Sequence, residues 1–153
     1  MAIKKKKTCV TLIAVACILS VLFWVSLRKV EIIAVHKNDN HNYVLVKKFP
    51  FTDKGKIKWW LDNKKVLKEV YKIPSTKPDG SFVTVFWDFG EGYKETDGYD
   101  RLCFNDMKPP INCIDKDSLL MVRNRKNTGL YFLLGSGSYR INSEGKIIKI
   151  KSD

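Results

Sequence analysis

The chain has 153 residues, a length that suits one folded domain with an appendage and excludes two full domains. Its composition is 44% hydrophobic and 12% aromatic, which is enough to pack a core and excludes global disorder. The net charge is +12, or +8 without the four lysines at positions 4–7. No basic stretch is interleaved with aromatic residues as in nucleic-acid-binding motifs, so no nucleic-acid partner is expected.

The first element is an uncharged apolar segment over residues 8–27, which follows a basic tail over residues 1–7. A helix of this length is about 30 Å long and can cross the hydrocarbon core of a bilayer. Its internal hydrogen bonds satisfy the backbone there. Trp24 suits the membrane–water interface. The sequence therefore predicts one transmembrane helix over 8–27 and one domain over 28–153.

Three other interpretations of this segment are open. Ala14-Val15-Ala16 matches the small-x-small pattern of a signal-peptide cleavage site, although cleavage there leaves the apolar stretch 18–27 at the new N-terminus. Cys17 follows as in a lipoprotein processing site, but Ala14 stands where such sites usually carry leucine. The third alternative is a buried core helix. The uncharged length of the segment favours an uncut anchor.

Charges on the two sides of the segment predict its orientation. Four lysines and the terminal amine precede it, whereas Arg28 and Lys29 follow it and Glu31 comes soon after. The more positive flank stays on the cytoplasmic side. We therefore expect the folded domain outside the cytoplasm.

Two cysteines in the domain agree with this orientation. Cys9 and Cys17 lie in the apolar segment, so the domain contains Cys103 and Cys113. Their C-x9-C spacing does not match zinc or redox motifs. Pro109-Pro110 stiffens the loop between them. The sequence predicts a disulfide, which persists in an oxidising compartment, with two separate buried thiols as the alternative.

The domain has the pattern of two strands, one helix and then a run of strands. Thr52 is a candidate cap for a helix that extends to about residue 71. The predicted strands cover 30–36, 43–48, 81–89, 119–123, 130–134, 138–141 and 146–150. The apolar face of the helix comprises Ile57, Trp60, Leu61, Leu67 and Tyr71, widened by Trp59, Val66 and Val70. This order predicts an α+β fold in which one main helix covers a mainly antiparallel sheet.

The predicted helix is also rich in lysine, with seven lysines against three acidic residues over 52–72. Beside a membrane anchor, such a face can rest on anionic head groups. More often it is the solvated side of a helix that packs on a sheet.

The densest group of polar and aromatic residues is the stretch 87–100, WDFGEGYKETDGYD. Interleaved aromatic rings suit a recognition surface. Paired carboxylates can also act on a glycosidic bond, and several together can bind calcium, but the spacing matches no EF-hand. A solvated loop is the plainest alternative. The candidate partner-binding residues are Trp87, Asp88, Glu91, Tyr93, Asp97, Tyr99 and Asp100.

No metal, cofactor or catalytic residue is expected. His36 ends a predicted strand and His41 lies in a turn, and no cysteine is left to complete a metal site. No serine or cysteine has an evident partnered base. The segment 135–138, GSGS, lacks the lysine and the following helix of a phosphate loop.

Several segments make the chain similar to a known family. They are SLRKVEIIAVHK, KKFPFTDKGKIKWW, TVFWDFGEGYKETDGYDRLCFNDMKPPINCI and NTGLYF. They resemble the membrane proteins of enteric bacteria grouped as domain of unknown function 943, from about residue 26 to the C-terminus. The resemblance implies a short cytoplasmic tail, one inner-membrane helix and a periplasmic domain. It implies no catalytic residues.

The functional hypothesis from the sequence is a single-pass inner-membrane protein with a periplasmic, non-enzymatic interaction domain. Its partner is expected to be another protein of the cell envelope. A narrower hypothesis is an immunity protein that neutralises a toxin, since tethering raises its local concentration. The alternative is an envelope enzyme that acts on cell-wall saccharides through Asp88, Glu91 or Asp97. Convergence of these carboxylates in a cleft with raised pKa values would favour the enzyme.

Overall fold

The structure is a computed structural model that describes residues 1–151. Over these residues it confirms the predicted α+β fold. Residues 152 and 153, the end of the predicted domain, lie outside the described residues. The helices are α1 (Ala2–Ser26) and α2 (Asp53–Tyr71), and the strands are β1 (Glu31–Asn38), β2 (His41–Lys47), β3 (Phe82–Asp88), β4 (Lys94–Glu95), β5 (Arg101–Cys103), β6 (Ile111–Asp115), β7 (Ser118–Arg125), β8 (Gly129–Leu134), β9 (Gly137–Ile141) and β10 (Ile147–Ile150).

Helix α1 covers the predicted apolar segment as far as Ser26 and begins six residues earlier, because lysine is a good helix former and nothing in the basic tail stops the helix. The Leu27 N–H closes the C-terminal end by donating to the Phe23 carbonyl at 3.1 Å. Within residues 1–151, α1 is the one helix long and apolar enough to cross a membrane, over Ala2–Val25, and none of that window is buried. Membrane anchors and signal sequences share this length and composition.

Seven strands form the main sheet in the order β1-β2-β3-β7-β8-β9-β10. Its neighbouring strands are antiparallel except for β2 and β3, which are parallel and are connected through α2. A parallel pair needs such a crossover because a tight turn cannot return the chain to the same end of the sheet. The outer strand β1 is interrupted by a bulge between Ile32 and Ala34.

The ends of α2 follow from local sequence. The Thr52 hydroxyl accepts a hydrogen bond from the Gly55 N–H at 3.1 Å, which satisfies one of the free donors of the first turn. At the other end Lys72 adopts a left-handed conformation with φ of 57°, and Pro74 prevents the helix from resuming.

The buried face of α2 is narrower than the sequence predicts. Ile57, Trp60 and Leu67 are buried against the sheet. Val66 and Val70, expected to widen this face, are 49% and 64% exposed, so that part of the prediction is wrong. At about 100° per residue both lie on the same side of Leu67, beyond the stripe that the sheet covers.

The main core fills the space between α2 and the sheet. Phe86 and Phe132 are its largest fully buried side chains. Phe86 stacks on Phe49 with ring centroids 5.4 Å apart, and Phe132 meets Trp60 edge-on at 5.5 Å. These rings fix α2 over the centre of the sheet.

The opposite face of the sheet is covered by a second, three-stranded sheet in the order β4-β6-β5. Together they enclose a smaller core around Leu45, Phe104 and Ile114. The sequence predicted no strands between residues 90 and 118. These strands are two to five residues long, too short to show a clear alternation of polar and apolar residues.

Candidate functional site

The structure divides the predicted partner-binding residues into a packed pair and a more exposed group. Trp87 and Tyr93 are half-buried and pack against the smaller core. Asp88 is also half-buried, whereas Glu91, Asp97, Tyr99 and Asp100 are exposed. The stretch 87–100 therefore has an inner part that fixes it and an outer part that faces solvent.

Trp87 occupies the inner part because of its position in β3. Side chains alternate along a strand, so Phe86 faces α2 while Trp87 faces the second sheet. The indole Nε1–H of Trp87 is buried and has no hydrogen-bond partner among residues 1–151. The ring contributes packing between the two sheets.

Tyr93 is fixed through a hydrogen-bonded chain that the sequence did not reveal. His36, which is 7% exposed, lies with Nδ1 2.8 Å from both carboxylate oxygens of Asp106 and with Nε2 2.8 Å from the Tyr93 hydroxyl. Since a carboxylate only accepts hydrogen bonds, Nδ1–H donates to Asp106; in the neutral imidazole, Nε2 then accepts from the tyrosine hydroxyl. Burial and then the charge of Asp106 raise the pKa of Tyr93.

The chain of hydrogen bonds joins three separate parts of the molecule. His36 lies on β1, Tyr93 in the segment before β4, and Asp106 in the loop between β5 and β6. Phe104 stacks on the imidazole with ring centroids 3.9 Å apart. The one local signal in the sequence is that His36 takes an inward position two residues after Ala34. Its partners are too distant along the chain to be predicted from such a pattern.

A disulfide joins Cys103 and Cys113, which stand opposite each other on β5 and β6. In the same loop, the Asn112 side-chain amide donates to the Phe104 carbonyl at 3.0 Å. Cys9 and Cys17 are free and exposed on α1. The disulfide and the Asn112 hydrogen bond hold the loop that carries Asp106.

The outer part of the stretch is held by ion pairs centred on Arg101, whose side chain is 11% exposed. Arg101 contacts Asp97 at 2.6 Å and Asp115 at 3.0 Å. Lys94 contacts Asp115 at 2.5 Å and Glu91 at 3.0 Å. Each of these carboxylates therefore has a basic partner.

These ion pairs lower the pKa of two carboxyl groups, those of Asp97 and Asp115. A hydrogen bond from Arg101 lowers the pKa of Asp97. Hydrogen bonds from Lys94 and then from Arg101 lower the pKa of Asp115. A general acid for glycoside hydrolysis needs a raised pKa, whereas the pKa values of these two carboxyl groups are lowered.

A shallow depression of about 540 Å³ lies over this network, lined by Lys94, Tyr99, Asp100, Arg101, Asp115 and Lys116. Tyr99 is 73% exposed, and its ring lies 5.6 Å from the guanidinium carbon of Arg101. Lys116 pairs with Asp100 across the depression. The surface presents one large aromatic ring among fixed charges of both signs.

Residues 1–151 contain no group of three or more His, Cys, Asp or Glu side chains arranged to hold a metal ion. Glu91, Asp97 and Asp100 each point to a different basic side chain. The expectation that the protein binds no metal or cofactor stays a prediction.

Replacing Arg101 tests the charge network. In Arg101→Gln we expect the titration midpoint of Asp97 to rise toward 3.8, the ordinary aspartate value, because its main hydrogen bond from a cation is lost. Asp115 should shift less, since it keeps Lys94. The measurement is an NMR titration of the side-chain carboxyl carbons.

The sign of the pH effect follows from the direction of these shifts. A carboxyl group whose pKa is lower in the folded state stabilises the fold above its unfolded pKa, and the contribution is lost as the pH falls through the folded value. The matched control is Arg125→Gln, which removes a cation outside the network and should leave both midpoints unchanged. Equal midpoints for Asp97 in the wild type and in Arg101→Gln would contradict the assignment.

Comparison with known proteins gives a match to a protein family. Neither a curated protein nor a solved structure is significantly similar to the chain. A family model described as enterobacterial putative membrane protein (DUF943) matches residues 2–151. The match includes α1, both sheets and the disulfide, and so confirms the resemblance seen in the sequence. The chain belongs to this family of enterobacterial membrane proteins.

Proposed function

We propose that the protein is anchored in the inner membrane by an uncut α1 and that its periplasmic domain binds another protein of the cell envelope without catalysing a reaction. The family and the single candidate span support the anchor. The excess of lysine before the apolar segment supports a cytoplasmic N-terminus. The disulfide supports an oxidising compartment for the domain.

The observation that carries the binding proposal is the depression over Arg101. Protein interfaces are enriched in tyrosine and arginine, because these side chains offer large contact areas together with hydrogen bonds. Here Tyr99 is exposed, whereas Arg101 is held by two carboxylates and is therefore already ordered before a partner arrives. Because Arg101 is already ordered, binding a partner would cost this surface little conformational entropy.

In this proposal the inner and outer residues of the 87–100 stretch have different roles. Tyr99 and Asp100 contact the partner directly, because both side chains are exposed at the depression. Trp87 and Tyr93 position the stretch from below, through the smaller core and His36.

The experiment is chemical crosslinking of the full chain in intact cells, followed by identification of the captured protein. We expect Tyr99→Ala and Asp100→Lys each to reduce capture of the same partner at least tenfold, because they remove the ring and one fixed charge of the contact surface. A circular dichroism spectrum equal to that of the wild type shows that the domain of each variant has folded.

The matched controls replace exposed residues on other parts of the domain. Ile148→Ala removes an apolar side chain that is 45% exposed, and Lys126→Glu reverses an exposed charge in the turn between β7 and β8. Both should retain the partner. If Tyr99→Ala captures the same protein as strongly as Ile148→Ala does, the proposed surface is wrong.

A narrower form of the proposal is that the partner is a toxin and the protein confers immunity. A small anchored domain suits this role because the anchor keeps it at a high local concentration where the toxin arrives. A deletion strain should then be more sensitive than its parent to toxin-producing kin. Equal sensitivity would rule out immunity while leaving the binding proposal in place.

A further inference from the structure

The connection between α1 and the domain is very short. Helix α1 ends at Ser26 and β1 begins at Glu31, so only residues 27–30 lie between them. Four extended residues reach about 14 Å at most. If α1 is the anchor, as proposed above, the start of β1 lies close to the head groups of the same bilayer.

The corner between β2 and α2 lies beside this connection. Glu31, the first residue of β1, pairs in register with Lys47, the last residue of β2. The Glu31 carboxylate also forms an ion pair with Lys48, the residue after β2. The following segment, residues 47–56, therefore belongs to the part of the domain nearest to the anchor.

This corner is basic. Residues 28–31 and 47–56 contain six basic and two acidic side chains. Both acidic groups have local partners: Glu31 pairs with Lys48, and Asp53 accepts hydrogen bonds from the hydroxyls of Ser136 and Tyr139. The basic residues are Arg28, Lys29, Lys47, Lys48, Lys54 and Lys56.

An aromatic ring projects from the middle of the basic corner. Phe51 is 75% exposed, whereas its neighbour Phe49 is buried in the main core. Lys47 and Lys54, on either side of Phe51 in the sequence, are exposed and form no ion pair within residues 1–151, although the Lys47 ammonium lies 5.4 Å from the centroid of the Phe89 ring. An apolar ring flanked by cations is the composition of segments that insert into the interface of an anionic bilayer.

We propose that the corner formed by residues 47–56 docks on the anionic head groups of the membrane that holds α1, with the Phe51 ring in the interfacial zone. Attraction between lysine and anionic lipid decays within a Debye length, which is about 10 Å at 0.1 M salt, and the short connection keeps the corner in that range. Asp88 pairs in register with Val46, and its N–H donates to the Asp117 carbonyl, so these two carboxylates lie at the same end of the main sheet as the corner. The attraction to the lipid comes from the basic charge of the corner that they do not offset.

The test uses the full chain in lipid nanodiscs. An environment-sensitive fluorophore is attached at Phe51→Cys in a background with Cys9→Ser and Cys17→Ser, and quenching by a lipid that carries a nitroxide near the head group is measured. In discs with phosphatidylglycerol we expect quenching at position 51 at least threefold greater than in all-phosphatidylcholine discs. A fluorophore at Lys126→Cys, in the turn between β7 and β8, should show little quenching in either lipid.

Charge variants test whether quenching at position 51 depends on attraction to anionic lipid or only on the short connection to α1. Lys47→Glu with Lys54→Glu should reduce the quenching at position 51 by half or more. The matched control, Lys64→Glu with Lys68→Glu, makes the same change in net charge toward the other end of α2 and should leave the quenching intact. In the wild-type chain, the backbone amides of residues 48, 49, 51 and 52 should exchange hydrogen more slowly in anionic discs than in all-phosphatidylcholine discs.

Two results would overturn the inference: equal quenching at position 51 in both lipids, or stronger quenching at Ile33→Cys on the edge of β1 than at position 51. Failure of the anchor gives a different result, because a chain from which α1 is cleaved does not enter the disc at all. The two proposals can therefore fail separately.

Discussion

Phe86→Ala should lower the free energy of unfolding of the domain by about 3–5 kcal/mol, the range for removing a buried phenylalanine ring. Phe86 is completely buried between β3 and α2. It contacts Phe49 at 5.4 Å and Trp59 at 5.7 Å between ring centroids, so its removal leaves a cavity lined by rigid rings that cannot easily close. The measurement is urea unfolding of the full chain in nanodiscs, followed by tryptophan fluorescence.

Phe51→Ala is the matched control because it deletes the same ring from an exposed position. It should change the free energy of unfolding by less than about 0.5 kcal/mol in zwitterionic discs. Comparable losses for the two variants would show that the main core is not where the structure places it.

Removing the disulfide should lower the stability of the oxidised domain by about 2.5–3 kcal/mol. The bond joins residues separated by 10 positions, and closing a loop of that length restricts the unfolded chain by this amount in the entropic description. Cys103→Ser with Cys113→Ser tests the value by urea unfolding. A reducing agent should destabilise the wild type by a similar amount and leave the variant unchanged.

The control for this prediction is Cys9→Ser with Cys17→Ser, which changes the same number of cysteines on α1. This variant should keep both the stability of the wild type and its sensitivity to reducing agent. Stability that does not respond to reducing agent in either protein would mean that the disulfide contributes nothing measurable.

The main elements could be predicted because each carries a strong local signal. The strand β3 was evident from the apolar and β-branched run at 82–87, and α2 from its cap and from the helical spacing of its apolar residues. The apolar run of α1 contains no charge after Lys7. In α2 and β3 burial sets the sequence pattern directly, on one face of the helix and on both faces of the strand.

The second sheet could not be predicted because its strands are held by contacts between distant residues. A disulfide, the ion pairs of Arg101 and the hydrogen bonds of His36 stabilise strands of two to five residues. Such contacts leave no period in the sequence. Asp106 lies 70 positions from His36, and nothing near either residue indicates the other.

The candidate site was located correctly as a stretch of chain, but the sequence did not separate its inner and outer residues. Aromatic density alone suggests a surface for Trp87, Tyr93 and Tyr99 alike. Only Tyr99 is largely exposed, because the second sheet covers the face of β3 to which Trp87 points. Whether that face was covered could not be known without the second sheet.

The two outer strands of the main sheet bear on the solubility of the protein. The unpaired backbone groups of an outer strand can template pairing with another chain, and a bulge or a short strand discourages this. The bulge in β1 breaks one such template between Ile32 and Ala34, and β10 offers only four residues with an exposed lysine, Lys149, among them. Both edge strands are thereby protected against pairing with another chain. We therefore expect contacts with other proteins to involve side chains and not the edges of the sheet.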